Sequence, residues 1–160
     1  MADASTHTYH LLLVDDNPAE LRLMLEAIKD AELDNLVSLS YAYDGEEACD
    51  FLNTSRIIDN KVDMILLDLN MPRLNGKDVL SFVKSNTNFS QIPVFIITNS
   101  DYRRDMMDCY NLQADGYLQK PSEFKKLVDF FVSVKQSILV RNKLSIFWIE
   151  KTYAELTSIA

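Results

Sequence analysis

Short apolar runs recur along this chain, separated by longer segments with helical spacing. Tyr9–Val14, Val62–Leu67 and Ile92–Thr98 are nearly continuous apolar runs, too short for helices. Val37–Tyr43 alternates and contains β-branched and aromatic residues, and Gly116–Gln119 is a shorter run of the same kind. We therefore predict five strands. The continuous runs are typical of parallel strands that are covered on both faces.

The segments between these strands predict five helices. A capping Asn17 followed by Pro18 marks the start of the first helix, which continues through about Ala31. The second and third helices open at 44–47 and after 75–78. The fourth spans Tyr102–Asn111, and Ser122 is expected to cap the fifth. Asn53–Asp63 is polar apart from Ile57 and Ile58, and most of it is expected to be a long loop. The apolar positions of the five helices are Leu21, Met24, Leu25, Ile28, Ala48, Phe51, Leu52, Val79, Leu80, Val83, Met106, Met107, Tyr110, Phe124, Leu127, Val128 and Phe131.

Strands that alternate with helices predict an α/β fold, a doubly wound five-stranded parallel sheet with helices on both faces. Right-handed crossovers leave few topologies for such a sheet. We divide the 160 residues into a flexible N-terminal tail (1–8), an α/β domain (9–140) and a C-terminal helical and aromatic extension (141–160).

Composition narrows the classes of partner and the compartment. A net charge of −8 argues against general affinity for nucleic acid or for anionic membranes. Leu11–Val14 is the apolar run nearest the N-terminus and is far too short to span a bilayer. Cys49 and Cys109 lie far apart, so we interpret both as free thiols. We expect a cytoplasmic protein.

Five chemically active side chains follow the predicted strands, at their carboxyl ends: Asp15, Asp16, Asp68, Thr98 and Lys120. Each alone has an ordinary structural explanation, but a parallel sheet brings all five to one edge, where ligands of such sheets bind. Two carboxylates about 5 Å apart repel by roughly 3 kcal/mol at an effective dielectric of 20, so a cation is needed beside them. Hard oxygen ligands suit Mg²⁺. Asp68 is then placed to act as a nucleophile toward phosphorus, with Lys120 and Thr98 binding phosphoryl oxygens.

These residues stand in motifs that resemble the receiver domains of two-component response regulators. The motifs are Leu-Leu-Val-Asp15-Asp16, Ile-Leu-Leu-Asp68-Leu-Asn70-Met-Pro72 with Gly76, Ile-Ile-Thr98, and Gly116-Tyr117 with Lys120-Pro121. Thirty residues separate Asp68 from Thr98, and twenty-two separate Thr98 from Lys120, as in chemotaxis-type receivers.

The resemblance implies a flavodoxin-like strand order of 2-1-3-4-5 and a role for each site residue. Asp68 would be the phosphoacceptor, with Mg²⁺ held by the side chains of Asp16 and Asp68 and the backbone carbonyl of Asn70. Asp15 would act largely through a bound water. Thr98 and Tyr117 would form the coupled switch pair, the ring turning inward. A cis peptide is implied between Lys120 and Pro121.

The chain departs from the family pattern after Thr98, where a residue that is usually small is Asn99. The C-terminal extension contains Phe147 and Trp148 among other apolar residues, which would be costly to leave in water. It either folds back on its own domain or packs against a second copy, and we predict a homodimer. The candidate interface residues are Phe147, Trp148, Phe131 and Tyr117. The extension resembles the tail of small single-domain regulators that partner bacterial phytochromes.

The resulting functional hypothesis is a response regulator that accepts a phosphoryl group from a histidine kinase, of phytochrome type if the tail resemblance holds. It would be a stoichiometric phosphoacceptor rather than an enzyme, without nucleic-acid or membrane partners. Three alternatives stay open: an intermediate carrier that passes the group to a histidine phosphotransfer protein, a receiver that binds partners without phosphorylation, and an aspartyl phosphatase or phosphotransferase. The last needs a general acid two residues after Asp68, where the chain has Asn70.

Overall fold

The computed structural model describes residues 8–139 as one alternating series of strands and helices. The five strands are β1 (Tyr9–Val14), β2 (Val37–Ala42), β3 (Met64–Leu67), β4 (Val94–Thr98) and β5 (Gly116–Gln119). The five helices are α1 (Pro18–Asp30), α2 (Gly45–Ile57), α3 (Gly76–Ser85), α4 (Arg103–Asn111) and α5 (Phe124–Leu139).

The strands form one parallel sheet in the order β2-β1-β3-β4-β5, which confirms the predicted fold class and strand order. The register places Val14 of β1 beside Leu67 of β3, and the backbone N–H of Asp68 donates to the carbonyl of Val14 at 2.9 Å. The residues that follow these two strands are therefore neighbours at the same edge of the sheet.

Two apolar cores cover the two faces of the sheet. Helices α2, α3 and α4 pack on one face and α1 and α5 on the other. Strand residues alternate between the cores: Leu12 and Val14 face the first, Leu11 and Leu13 the second. All four are at most 1% exposed, which explains why these strands read as unbroken apolar runs.

Side-chain caps start three of the helices. Asn17, Asp44 and Asn75 each accept a hydrogen bond from a backbone N–H in the first turn, so the first helix starts where the sequence predicts. Helix α5 begins at Phe124, two residues after Ser122, which was expected to cap it. Strands β3 and β4 likewise begin two residues later than predicted, at Met64 and Val94.

The prediction of a loop over Asn53–Asp63 is wrong for its first half, because α2 continues to Ile57. The polar composition of residues 53–56 gave no sign of this last turn of α2. Leu52 and Ser55 face the protein interior, and the buried Ser55 hydroxyl donates to the carbonyl of Leu52 at 2.9 Å. A serine that bonds its own helix backbone satisfies its polar group and fits the inner face.

The Lys120–Pro121 peptide is trans, since residues 8–139 contain no cis peptide bond, and this corrects the cis bond implied by the family resemblance. The trans chain already aims the lysine. Its backbone N–H donates to the carbonyl of Thr98 at 2.7 Å, which extends the pairing of β4 with β5 by one residue, and its ammonium reaches Asp15. Trans is also the form that X–Pro bonds favour intrinsically.

The prediction that Phe131 lies in a dimer interface is also wrong. It is 0% exposed and packs in the core beneath α5, in edge-to-face contact with Phe130. Helix α5 presents both aromatic rings to the sheet, so Phe131 offers no surface to a partner. Phe147 and Trp148 lie outside the described residues. Among residues 8–139, no helix combines the length and apolar character needed to cross a membrane.

Candidate functional site

Three carboxylates converge at the carboxyl edge of β1 and β3. Asp15, Asp16 and Asp68 each bring one oxygen to within 4.8 Å of the others. Asp15 is 1% exposed and Asp68 7%, whereas Asp16 faces solvent. Two of the three charges are therefore largely removed from water. Because water screens buried charges little, the repulsion between Asp15 and Asp68 is strong.

Lys120 reaches this cluster from the end of β5. Its ammonium lies 2.7 Å from Asp15 Oδ2 and 3.6 Å from Asp68 Oδ2, and Glu20 of α1 is 3.9 Å away on the outer side. Burial alone would lower the pKa of Lys120, but the hydrogen bond to Asp15 and the charges of Asp68, Asp15 and Glu20 outweigh it and raise that pKa. The lysine therefore stays charged.

The surroundings of Asp68 shift its pKa in opposing directions. Burial raises the pKa of Asp68, the ammonium of Lys120 opposes that rise, and the charge of Asp15 adds to it. A hydrogen bond from the Thr98 hydroxyl and one from the Leu69 N–H, 2.9 Å from Oδ1, act in the lowering direction. The net result is a carboxylate that is more basic than an ordinary aspartate, a property that suits a nucleophile.

The loop after β3 ends at Gly76, and any other residue at this position would force the backbone to move. The N–H of Gly76 donates to the carbonyl of Leu69 at 2.9 Å. A Cβ at Gly76 would overlap the carbonyl oxygen of Asp68, so helix α3 can begin this close to the phosphoacceptor candidate only with glycine there. Asn70 lies in the same loop and is exposed.

The donor set fits a divalent cation. Three carboxylates supply hard oxygen ligands, as Mg²⁺ and Mn²⁺ prefer. Both oxygens of Asp15 already accept hydrogen bonds, Oδ1 from the Asn17 N–H at 2.9 Å and Oδ2 from Lys120. Asp16 and Asp68 supply the other carboxylate oxygens that could hold the ion.

Thr98 and Tyr117 are linked through Ser100. Thr98 is 0% exposed, and its Oγ1 accepts the N–H of Ser100 at 3.3 Å. The hydroxyl of Tyr117 donates to the carbonyl of Ser100 at 3.0 Å, and burial raises the pKa of Tyr117 to about 12. The ring already points inward, so Tyr117 presents little surface to a partner. Asn99, between Thr98 and Ser100, is exposed.

Four residues at or beside the site escaped the sequence interpretation: Glu20, Lys77, Ser100 and Asp105. Glu20 was visible only as an acidic residue in the first turn of α1. Ser100 follows Thr98 by two residues, but serine in a loop before a helix is an ordinary turn signal. Lys77 had no local signal, because its partners Asp105 and Asp108 lie 28 and 31 residues away in sequence.

Comparison with known proteins gives the same picture. The family model described as "Response regulator receiver domain" matches residues 11–131. Response regulator Rcp1 of Synechocystis sp. is 32% identical over 152 residues, which cover 94% of this chain and 95% of that protein.

Two of the solved structures that share the fold are phytochrome-related or metal-bound response regulators. One is the phosphorylated cyanobacterial phytochrome response regulator RcpA, with a TM-score of 0.74 and 28% identity over 83% of this chain and 95% of that one. The other is Mn²⁺-bound Rcp1, with a TM-score of 0.71 and 30% identity over 86% and 99%. The chain belongs to the family of response regulator receiver domains.

Proposed function

We propose that this chain is a phosphoacceptor switch and that Asp68 is the residue that takes the phosphoryl group. The observation that carries the proposal is the buried Asp68 carboxylate, which shares a 4.8 Å cluster with Asp15 and Asp16 and has the Lys120 ammonium at 3.6 Å. A carboxylate oxygen of Asp68 attacks the phosphorus of a phosphohistidine. The new O–P bond forms as the N–P bond breaks, and the imidazole of the kinase leaves.

Mg²⁺ is the cation that we propose for the acidic cluster, held by the side chains of Asp16 and Asp68 and by the backbone carbonyl of Asn70. Asp15, whose two oxygens accept hydrogen bonds from Asn17 and Lys120, would contribute through water, as the family resemblance implies. When bound, the ion neutralises charge that develops on the phosphoryl oxygens. The Mn²⁺-bound form of Rcp1 supports a divalent cation in this family.

Lys120 and Thr98 are proposed to hold the transferred group. The ammonium of Lys120 stays charged and lies within reach of an oxygen on Asp68, so it can bind a phosphoryl oxygen by a charge-assisted hydrogen bond. The hydroxyl of Thr98, which now bonds the carboxylate, would turn to that group. Tyr117 would report the change through Ser100, to which it is already bonded.

Mass spectrometry after incubation with acetyl phosphate and Mg²⁺ tests the nucleophile. The wild-type chain is expected to gain one phosphate per molecule, and EDTA is expected to prevent it. Asp68→Asn should gain none, whereas Asp34→Asn, which changes an exposed acid away from the site, should behave as wild type. Equal uptake by Asp68→Asn would refute the assignment, and an acid-stable adduct would point to a hydroxyl instead.

The proposed donor is a sensor histidine kinase, and the similarity to RcpA, a phytochrome response regulator, favours one of phytochrome type. The chain would act stoichiometrically rather than as an enzyme, since Asn70 stands where an aspartyl phosphatase needs a general acid. We place it in the cytoplasm on its two free cysteines, Cys49 and Cys109. Profiling phosphotransfer from each histidine kinase of the source organism identifies the donor, and rapid transfer onward to a histidine phosphotransfer protein would indicate the carrier role.

A homodimer through α5 and the following residues stays part of the proposal. Phe124 and Leu139 are exposed apolar residues of α5, and they support an interface there now that Phe131 is excluded. Light scattering at micromolar concentration should give twice the monomer mass. A monomer under those conditions removes the dimer without affecting the phosphoacceptor assignment.

A further inference from the structure

Ser100 makes four hydrogen bonds in the loop between β4 and α4, and each goes to a different residue. Its N–H donates to Thr98 Oγ1 at 3.3 Å, and its carbonyl accepts the Tyr117 hydroxyl at 3.0 Å. Its hydroxyl donates to Asp105 Oδ2 at 2.5 Å and accepts the N–H of Tyr102 at 3.3 Å. Ser100 is 6% exposed, so these bonds form largely out of water and fix the loop that carries Thr98.

Asp105 is in turn fixed from a different helix. The ammonium of Lys77, in the first turn of α3, lies 2.6 Å from Asp105 Oδ1 and 2.8 Å from Asp108 Oδ2. Lys77 directly follows Gly76, whose N–H bonds the loop after Asp68. The start of α3 is therefore tied to the loop of the phosphoacceptor on one side and, through Asp105 and Ser100, to Thr98 on the other.

We infer that Lys77 and Asp105 are positioning residues for phosphotransfer: through Ser100 they hold the Thr98 hydroxyl beside Asp68. The inference rests on the proposed function, since it concerns the efficiency of the same reaction. Thr98 Oγ1 accepts one hydrogen bond from Ser100 and donates its own hydrogen to the carboxylate. With Ser100 fixed, the Thr98 hydrogen points at the reacting group; without Lys77, Asp105 is free to turn away and Ser100 loses its anchor.

Helix α3 provides a matched control. Lys84 also forms an ion pair with a distant aspartate, Asp115, at 2.7 Å, but at the opposite end of the helix. Lys77→Met and Lys84→Met therefore remove the same charge from the same helix, and only the first touches the Ser100 network. Lys77→Arg is the conservative variant that can still contact both aspartates.

The test uses the full chain and measures the rate of phosphorylation by acetyl phosphate with saturating Mg²⁺. Lys77→Met should be about threefold to tenfold slower than wild type, the range expected when a partly exposed ion pair positions a reacting group. Lys84→Met should retain the wild-type rate, and Lys77→Arg should restore it. Asp105→Asn should also be slow, and the Lys77→Met/Asp105→Asn double variant no slower than either single one, because both act through the same contact.

Amide hydrogen exchange at Ser100, compared with exchange at a core strand amide such as that of Leu66, separates local loosening of this loop from a loss of overall stability. The exchange rate of the Ser100 N–H should rise about threefold or more in Lys77→Met and stay unchanged in Lys84→Met, because the bond to Thr98 depends on the anchored serine. A wild-type rate in Lys77→Met, or equal slowing in Lys84→Met, overturns the inference while leaving the phosphoacceptor assignment intact. Absence of phosphate on the wild-type chain overturns that assignment instead.

Discussion

Replacing Asp68 by asparagine should stabilise the protein when no divalent cation is present. The carboxylate is buried among like charges, and asparagine keeps its shape and can still accept the N–H of Leu69. Asparagine carries no charge, so it removes both the repulsion from Asp15 and Asp16 and the cost of keeping a charge away from water. It also removes the attraction to Lys120, so the sign of the effect depends on the balance of these contributions.

The balance follows from the geometry. At 4.8 Å, the upper limit of the spacing in the cluster, one repulsion is roughly 3.5 kcal/mol at an effective dielectric of 20, and the exposed Asp16 contributes less because water screens it. The attraction to Lys120 at 3.6 Å is roughly 4.6 kcal/mol on the same scale. These contributions nearly cancel, which leaves the desolvation of the carboxylate. We therefore expect Asp68→Asn to raise the free energy of unfolding by about 1–2 kcal/mol at neutral pH.

The pH dependence has a definite sign. The pKa of Asp68 is raised in the folded protein, so the folded state binds the proton more tightly than the unfolded chain does. The resulting stabilisation is full below the pKa of the unfolded chain and is lost as the pH rises through the folded pKa. The advantage of Asp68→Asn should consequently be small in acid, grow through that range and stay constant above it.

Urea denaturation followed by far-ultraviolet circular dichroism, in EDTA, measures the difference. Asp34→Asn, at an exposed position, should change stability by less than about 0.5 kcal/mol. Adding Mg²⁺ should stabilise the wild type more than Asp68→Asn and so reduce or reverse their order. If Asp68→Asn is the less stable protein in EDTA by about 1 kcal/mol or more, the attraction to Lys120 dominates and the reasoning is refuted.

Two further predictions concern the rest of the domain. Gln113 lies two residues beyond the end of α4 and has a φ of 69°, a conformation that glycine adopts freely, so Gln113→Gly should stabilise the protein by about 1 kcal/mol. The same change at the exposed helical Gln136 should destabilise the protein by about 1 kcal/mol, and equal effects in urea denaturation would contradict this. Burial raises the pKa of Cys109 to about 12 and that of Cys49 to about 11, so both thiols stay protonated at pH 8. Both should react slowly with a disulfide reagent until urea unfolds the chain. Fast labelling of the folded protein would show that burial does not protect them.

The sequence predicted the parts of this molecule that depend on local pattern. Unbroken apolar runs located the strands, and residues directly after those runs had to meet at one edge of the sheet. The proximity of Asp15, Asp68 and Lys120 could therefore be predicted from the sequence. Helix caps such as Asn17 were equally local. These features need only the period of a strand or the first turn of a helix.

Local sequence patterns could not predict the features that depend on packing between distant segments. Helix α2 extends through the polar residues up to Ile57 because Leu52 and Ser55 find buried sites. Phe131 shares a helical face with residues of mixed exposure, and only the packing of α5 decides that its ring is fully buried. The link from Lys77 to Asp105 joins residues 28 apart, and no local pattern encodes it.

The ion pair between Lys120 and Asp15 joins residues 105 positions apart. During synthesis, a nascent chain that ends before β5 therefore has its clustered acids without the Lys120 amine that balances them. Such a fragment carries an electrostatic penalty until its final strand is added, which favours assembly of the edge in a single late, cooperative step. The site around Asp68 is therefore complete only when β5 has joined the sheet.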